Sequence, residues 1–72
     1  MAMPQFDNEF VQLMRTALEE VMTRVPVEYS TPALKAYLAE CILKAAAQGQ
    51  TSYDGLLAAA ADQIQAAMTL FV

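Results

Sequence analysis

The side chains that could do chemistry in this chain are few, and none stands in a catalytic spacing. There is one cysteine and no histidine. Cys41 lies between Leu38 and Ile42 on an apolar stripe, so we expect a buried, unreactive thiol. A cysteine nucleophile needs an activating base, and no histidine is present to act near neutral pH. The sequence therefore predicts no catalytic residues and a non-enzymatic protein.

The sequence also lacks a set of side chains that could bind a metal or a cofactor. A lone thiolate without histidine cannot build a tetrahedral zinc site. Carboxylate metal sites in helical bundles use Glu-x-x-His pairs, which this chain lacks. Glu19 and Glu20 fall on a polar helix side, and Glu40 with Lys44 has the spacing of an exposed i, i+4 ion pair. We expect no metal and no cofactor.

Charge argues against two classes of partner. Eight acidic and four basic side chains give a net charge of −4, and no basic residue follows Lys44. Nucleic-acid binding depends on Lys and Arg at phosphates, so we expect no nucleic acid. No uncharged run approaches the ~20 residues of a membrane span. We therefore expect no membrane association. The opening MAMPQFDNEF has no basic group and no apolar signal core, so we expect a cytoplasmic location.

The sequence predicts three helical segments, and any functional surface would be formed by their side chains. Apolar residues recur at helical spacing over about residues 7–24, 32–48 and 52–70, and no strand pattern is present. Together these segments predict a single all-α domain over residues 1–72, a three-helix bundle.

Local signals place the ends of these helices. Asp7 is a predicted N-cap, and Thr31 is predicted to cap a helix with Pro32 at its first position. Gly49 is the predicted left-handed residue that ends the second helix. Thr51, followed three positions later by an aspartate, predicts a capping box for the third helix. Tyr29, in the connector between two prolines, is a candidate partner contact.

The chain is also unusually apolar for its size, with 57% hydrophobic residues against about 45–50% in ordinary domains. Small domains often gain stability from disulfides, metals or association. One cysteine excludes an internal disulfide, so we expect a homo-oligomer, in the first place a dimer. A different protein partner is the alternative.

Two predicted helices carry a second apolar face opposite their core stripes. Small side chains on such a face let another helix approach closely. The simpler interpretation is that alanine is a strong helix former and harmless when exposed. The predicted interface consists of Ala36, Ala39, Leu43, Ala47, Gly55, Ala59, Ala66, Leu70 and Phe71.

Three short stretches resemble known proteins. ILKAAAQGQTS resembles the helix-turn-helix opening of TetR-type repressors, with a shorter alanine-to-glycine spacing and no Lys or Arg on the helix that would read DNA. Asp54-Gly55-Leu56 resembles the Asp-Ser-Leu attachment motif of acyl carrier proteins, but a glycine replaces the serine. LKAYLAECILKAAAQGQ is similar to small bacterial helical proteins of uncharacterised function, a resemblance that implies no activity.

These observations predict an interaction or regulatory protein that works through homodimerisation or binding of a partner helix. One alternative is a transcriptional regulator that uses the corner between the second and third helices. Another is a binder of small apolar ligands at a helical interface, suggested by five methionines.

Overall fold

The computed structural model describes residues 7–70, which form four α-helices and one short 3₁₀ turn. The predicted all-α class is confirmed for this part of the chain, which contains no strand and is compatible with a helical bundle. The 3₁₀ turn spans Val27–Tyr29. The α-helices are α1 (Asn8–Thr23), α2 (Pro32–Ala47), α3 (Tyr53–Ala61) and α4 (Ile64–Leu70).

Helix α1 begins at its predicted cap. The Asp7 carboxylate accepts a hydrogen bond from the Phe10 backbone N–H at 2.7 Å. Met14, Ala17 and Val21 recur three or four positions apart and are buried along one side, as an amphipathic helix requires. The helix ends before Pro26, as predicted, because a proline and the residue before it disfavour helical continuation.

Helix α2 also begins where the sequence predicts. The Thr31 hydroxyl accepts from the Leu34 N–H at 3.2 Å, and Pro32 holds the first position, where its missing N–H is not needed. In the connector before it, Tyr29 is half-buried and packs against the core. Its ring therefore contributes to packing within the chain.

The turn from α2 to α3 has a defined geometry. Gly49 has a φ of 103°, which confirms the predicted left-handed residue. Its N–H donates to the Ala46 carbonyl at 3.0 Å, and the Gln50 N–H donates to the Ala45 carbonyl at 3.0 Å. This pair of bonds is a Schellman motif, which satisfies the last carbonyls of α2 and reverses the chain.

The predicted capping box at Thr51 is wrong by one residue. Ser52 is the N-cap of α3, and its hydroxyl oxygen accepts from the Gly55 N–H at 3.0 Å. The same hydroxyl donates to the Gln50 side-chain oxygen at 3.0 Å. The Ser52 backbone N–H donates to the same Gln50 oxygen at 3.3 Å, so the Gln50 side chain lies against the capping residue.

The single helix predicted over 52–70 is divided at Asp62–Gln63 into α3 and α4. The Gln63 N–H donates to the Ala60 carbonyl three residues back, and the regular i to i+4 pattern resumes when Ala67 N–H donates to the Gln63 carbonyl. A three-residue bond tightens a helix turn. Aspartate is also a poor residue for a helix interior. The tightened turn separates α4, which packs mainly against α2.

The core lies between α1, α2 and α3, which all contact one another. Helix α2 contributes a row of buried residues at every fourth position, and α3 contributes Leu56 and Ala60. The buried hydrophobic residues are Met14, Ala17, Val21, Val25, Leu34, Leu38, Ile42, Ala46, Leu56, Ala60 and Ala67. No polar or charged side chain is buried among the described residues, so the interior is held by apolar packing alone.

Candidate functional site

The side of α2 that points away from the core carries a row of exposed and half-buried apolar residues. We call it the outer face of α2, and its residues are Ala36, Ala39, Leu43 and Ala47. Ala36, Leu43 and Ala47 are exposed, and Ala39 is half-buried. Leu43 is 48% exposed, whereas its neighbour Ile42 is 2% exposed on the core side. The outer face therefore places a large apolar side chain in solvent between alanines.

Three charged side chains border the outer face, and all are exposed: Lys35, Glu40 and Lys44. The intrahelical ion pair predicted between Glu40 and Lys44 is not formed within residues 7–70. The ion pair found there joins Arg24 and Glu20 on α1, at 3.8 Å. Both charges beside Leu43 are therefore available for other contacts.

The α3 residues of the predicted interface do not lie on the same surface as the outer face of α2. Gly55 and Ala59 are half-buried. Ala59 lines the groove between α2 and α3, and Gly55 lines a smaller recess beside it. A Cβ atom on Gly55 would meet the side chain of Gln50, which covers this glycine. These two residues therefore face α2 of the same chain, and they do not form one continuous surface with its outer face.

The last predicted interface residues belong to α4 and the residues beyond it. Ala66 is exposed, and Leu70 is 64% exposed. Phe71 lies outside the described residues. The eight described residues of the predicted interface thus divide into the outer face of α2, two positions that line the space between α2 and α3, and exposed positions on α4.

The groove between α2 and α3 has a volume of about 490 Å³. Its lining is mixed, with polar residues from both walls: Tyr37, Glu40, Cys41, Lys44, Ala45, Gln48, Ala59 and Gln63. The Tyr37 hydroxyl donates to the Gln63 side-chain oxygen at 3.4 Å and joins the two walls at one end. The sequence interpretation did not identify this groove, although Tyr37, Cys41, Lys44 and Gln48 follow one another at helical spacing beside the core stripe.

Cys41 lines this groove and is half-buried, so the thiol is less buried than predicted. The predicted low reactivity has a physical basis in the structure. Burial raises the pKa of the Cys41 thiol, the positive charge of Lys44 lowers it in part, and the negative charge of Glu40 raises it further. A raised pKa leaves less thiolate, which is the nucleophilic form.

Residues 7–70 contain neither a metal-binding group nor a helix suited to span a membrane. Within that range, no three His, Cys, Asp or Glu side chains lie together as a metal-binding group. None of the helices described there has both the length and the apolar character to cross a bilayer. Of the methionines suggested for a ligand pocket, Met14 belongs to the core and Met22 packs against it. Met14 is buried, and Met22 and Met68 are half-buried.

The corner between α2 and α3 offers little to DNA. The exposed residues of α3 include Asp54 and Ala58, and Asp62 follows at its end. Carboxylates at these positions repel phosphate, and no Lys or Arg follows Lys44 in the whole chain. The Ser52 hydroxyl, nearest to the position of an acyl-carrier serine, is engaged as the helix cap.

No known protein family, curated protein or solved structure matches the chain significantly. No residue role can therefore be transferred from a relative. The roles assigned below follow from the exposure, charge and contacts of this chain's own residues.

Proposed function

We propose that this chain is a small non-enzymatic interaction protein that acts as a homodimer, with the outer face of α2 as the contact between copies. One observation carries the proposal: Leu43 is 48% exposed in the middle of an alanine row on a helix whose other side is fully packed. Covering that face removes two leucine side chains from water in a dimer. A helix from a different protein would satisfy the same face in the alternative form of the proposal.

The energetics favour Leu43 as the anchor of this contact. Full burial of a leucine contributes about 1.5–3 kcal/mol, so burial of its exposed half contributes about 1 kcal/mol per copy. Alanines contribute little themselves, but they allow helix axes to approach to about 8 Å. Close approach brings the leucine into contact with the backbone and alanines of the facing helix.

The surroundings of the face suit a protein partner better than a nucleic acid. The charges beside it are of both signs, from Lys35, Glu40 and Lys44, and the chain as a whole is acidic. The free thiol of Cys41 is compatible with the reducing cytoplasm. We therefore propose a cytoplasmic protein, in bacteria if the resemblance of its second helix reflects its origin.

The test is the molar mass in solution, measured by light scattering over a range of protein concentrations. The wild-type chain is expected to form a dimer, and Leu43→Glu is expected to be a monomer with an unchanged circular dichroism spectrum. Glutamate is tolerated in the monomer because position 43 is half in solvent. Thr16→Glu, at an exposed site on α1, is the matched control and is expected to remain dimeric.

The reverse results are informative. A wild-type chain that is monomeric at every concentration would contradict the proposal. Dissociation by Leu70→Glu but not by Leu43→Glu would move the contact to α4, where Leu70 is 64% exposed. A salt-sensitive gel shift with DNA would instead favour the regulator alternative.

A further inference from the structure

Asp54 is the one aspartate of the chain that precedes a glycine. In an aspartate–glycine pair, the backbone nitrogen of the glycine attacks the aspartate carboxyl group with the least steric hindrance, because glycine has no Cβ. Asp54 is exposed, so water reaches its carboxyl group. Asp62 is followed by Gln63, whose Cβ hinders the same attack. The pair Asp54 and Gly55 is therefore suited to a rearrangement of the main chain that needs no enzyme.

This rearrangement forms isoaspartate in two steps and uses only water. In the first step, the Gly55 nitrogen bonds to Cγ of Asp54, and the protonated carboxyl group loses its hydroxyl, which leaves with the amide proton as water. The product is a succinimide ring. In the second step, water adds to one of the two ring carbonyl carbons and breaks its bond to nitrogen. Addition at Cγ restores aspartate, whereas addition at the backbone carbonyl carbon leaves isoaspartate, with the main chain passing through Cβ and Cγ.

The first turn of α3 keeps the two reacting groups out of alignment. Ring closure requires Cγ of Asp54 and the Gly55 nitrogen to lie on the same side of the Asp54 Cα–C bond. Both residues lie within α3, and a helical ψ of about −42° rotates the two groups apart. The Gly55 N–H donates to the Ser52 hydroxyl oxygen at 3.0 Å, and the Leu56 N–H donates to the Ser52 carbonyl at 3.0 Å. The nitrogen that would attack is therefore bound to the helix cap.

Gln50 strengthens the same cap. Its side-chain oxygen accepts from the Ser52 backbone N–H at 3.3 Å and from the Ser52 hydroxyl at 3.0 Å. These bonds are exposed, and the ends of helices open more readily than their packed interiors. Opening of this one turn frees the Gly55 nitrogen while the core between α1, α2 and α3 stays packed.

We infer that Asp54 is a modification site at which isoaspartate forms, and that the Ser52 cap sets the rate by controlling the opening of the first turn of α3. The product does not fit the same turn, because isoaspartate adds a main-chain carbon just before the Gly55 N–H that the cap binds. Leu56, which is fully buried, follows directly. The modified chain is therefore expected to have a lower free energy of unfolding. The reaction takes place within one chain, so it does not depend on the proposed dimer.

The test is prolonged incubation at neutral pH, followed by digestion with trypsin and chromatographic separation of the two forms, which have equal mass. Trypsin releases residues 45–72 as one peptide, because no Lys or Arg follows Lys44. Wild type in guanidinium chloride is the unfolded reference and is expected to react fastest. Folded wild type is expected to react slowest. Ser52→Ala is expected to react roughly fivefold faster than folded wild type, the factor that corresponds to loss of a typical N-cap.

Control variants separate local opening from global unfolding. Thr31→Ala removes the matching cap of α2 and is expected to leave the rate at Asp54 unchanged. Ser52→Ala combined with Gly55→Ala places a Cβ on the attacking residue and is expected to lose the acceleration. Asp62 lies in the same tryptic peptide and is the internal reference, expected to remain aspartate.

Each outcome supports or overturns a stated part of the inference. Acceleration by Ser52→Ala without acceleration by Thr31→Ala supports it. Equal acceleration by both variants would show that isoaspartate forms after global unfolding, so the α3 cap would not control the rate. Equal rates in Ser52→Ala and folded wild type would contradict that control as well. If no isoaspartate forms at Asp54 in guanidinium chloride, the site itself is wrong.

Discussion

Replacing each of the two glycines by alanine should change stability differently, because the two positions differ in backbone conformation. Gly49 has a φ of 103°, and a Cβ atom there would have no neighbour within 4 Å. Gly55 has an ordinary helical backbone within the first turn of α3. A Cβ atom at Gly55 would meet the far end of the Gln50 side chain. The cost at Gly49 is therefore conformational, and the cost at Gly55 is the displacement of one flexible side chain.

The magnitudes follow from these differences. A residue with a Cβ in the left-handed region costs about 1–2 kcal/mol, and empty space around Gly49 offers no compensating contact. We expect Gly49→Ala to lower the free energy of unfolding by that amount. Alanine at Gly55 gains up to about 1 kcal/mol of helix propensity. It also displaces Gln50 from Ser52, with the loss of two exposed hydrogen bonds, so we expect a change close to zero.

The measurement is urea unfolding of wild type and both variants at one protein concentration, because association in the proposed dimer would make stability depend on concentration. In thermal unfolding of the same proteins, the expected loss in Gly49→Ala lowers the melting temperature by roughly 4–8 °C per kcal/mol for a chain of this size. Gln50→Ala combined with Gly55→Ala removes the displaced side chain and is expected to show the helix gain. Equal stability of Gly49→Ala and wild type would refute the left-handed assignment at the end of α2.

Two further predictions concern Ser52 and Cys41. Ser52→Ala is expected to lower the free energy of unfolding by about 1 kcal/mol, since it removes the α3 cap. Thr51→Ala is expected to change it by less than about 0.5 kcal/mol. A larger loss in Thr51→Ala than in Ser52→Ala, measured by urea unfolding, would show that Thr51 is the cap. The Cys41 thiol, whose pKa is raised mainly by burial, is expected to react with iodoacetamide more slowly than free cysteine at pH 8, with the midpoint of its pH–rate profile above that of the free thiol. Lys44→Gln is expected to raise this midpoint further, because the lysine charge favours the thiolate, and a midpoint at or below that of free cysteine would contradict the assignment.

Local signals were sufficient where the controlling contacts are local. Asp7, Thr31 with Pro32, and Gly49 act on backbone groups within a few residues, and the sequence predicts all of them correctly. Thr51 and Ser52 both fit a helix cap, so the sequence pattern does not choose between them. In the structure Ser52 is the cap, and its hydroxyl also bonds to the Gln50 side chain.

Features that depend on distant contacts were not predictable. The Tyr37 hydroxyl bonds to Gln63, 26 positions away in the sequence and close to the interruption between α3 and α4. The spacing of apolar residues over 52–70 does not predict that contact. The predicted interface was predictable in one part only. The outer face of α2 follows from the spacing within one helix. Whether Gly55 and Ala59 face solvent or α2 depends on how α3 rotates against its neighbour, which spacing within α3 does not determine.

The interruption at Asp62–Gln63 gives the molecule two levels of local stability. Helix α4 has seven residues, its buried residue is the small Ala67, and it packs mainly on α2. A helix this short is unstable in isolation, and the contacts among α1, α2 and α3 do not pass through it. Transient opening of α4 would therefore leave the other three helices packed. We expect its amide hydrogens to exchange through this partial opening before those of α1, α2 and α3 exchange through global unfolding.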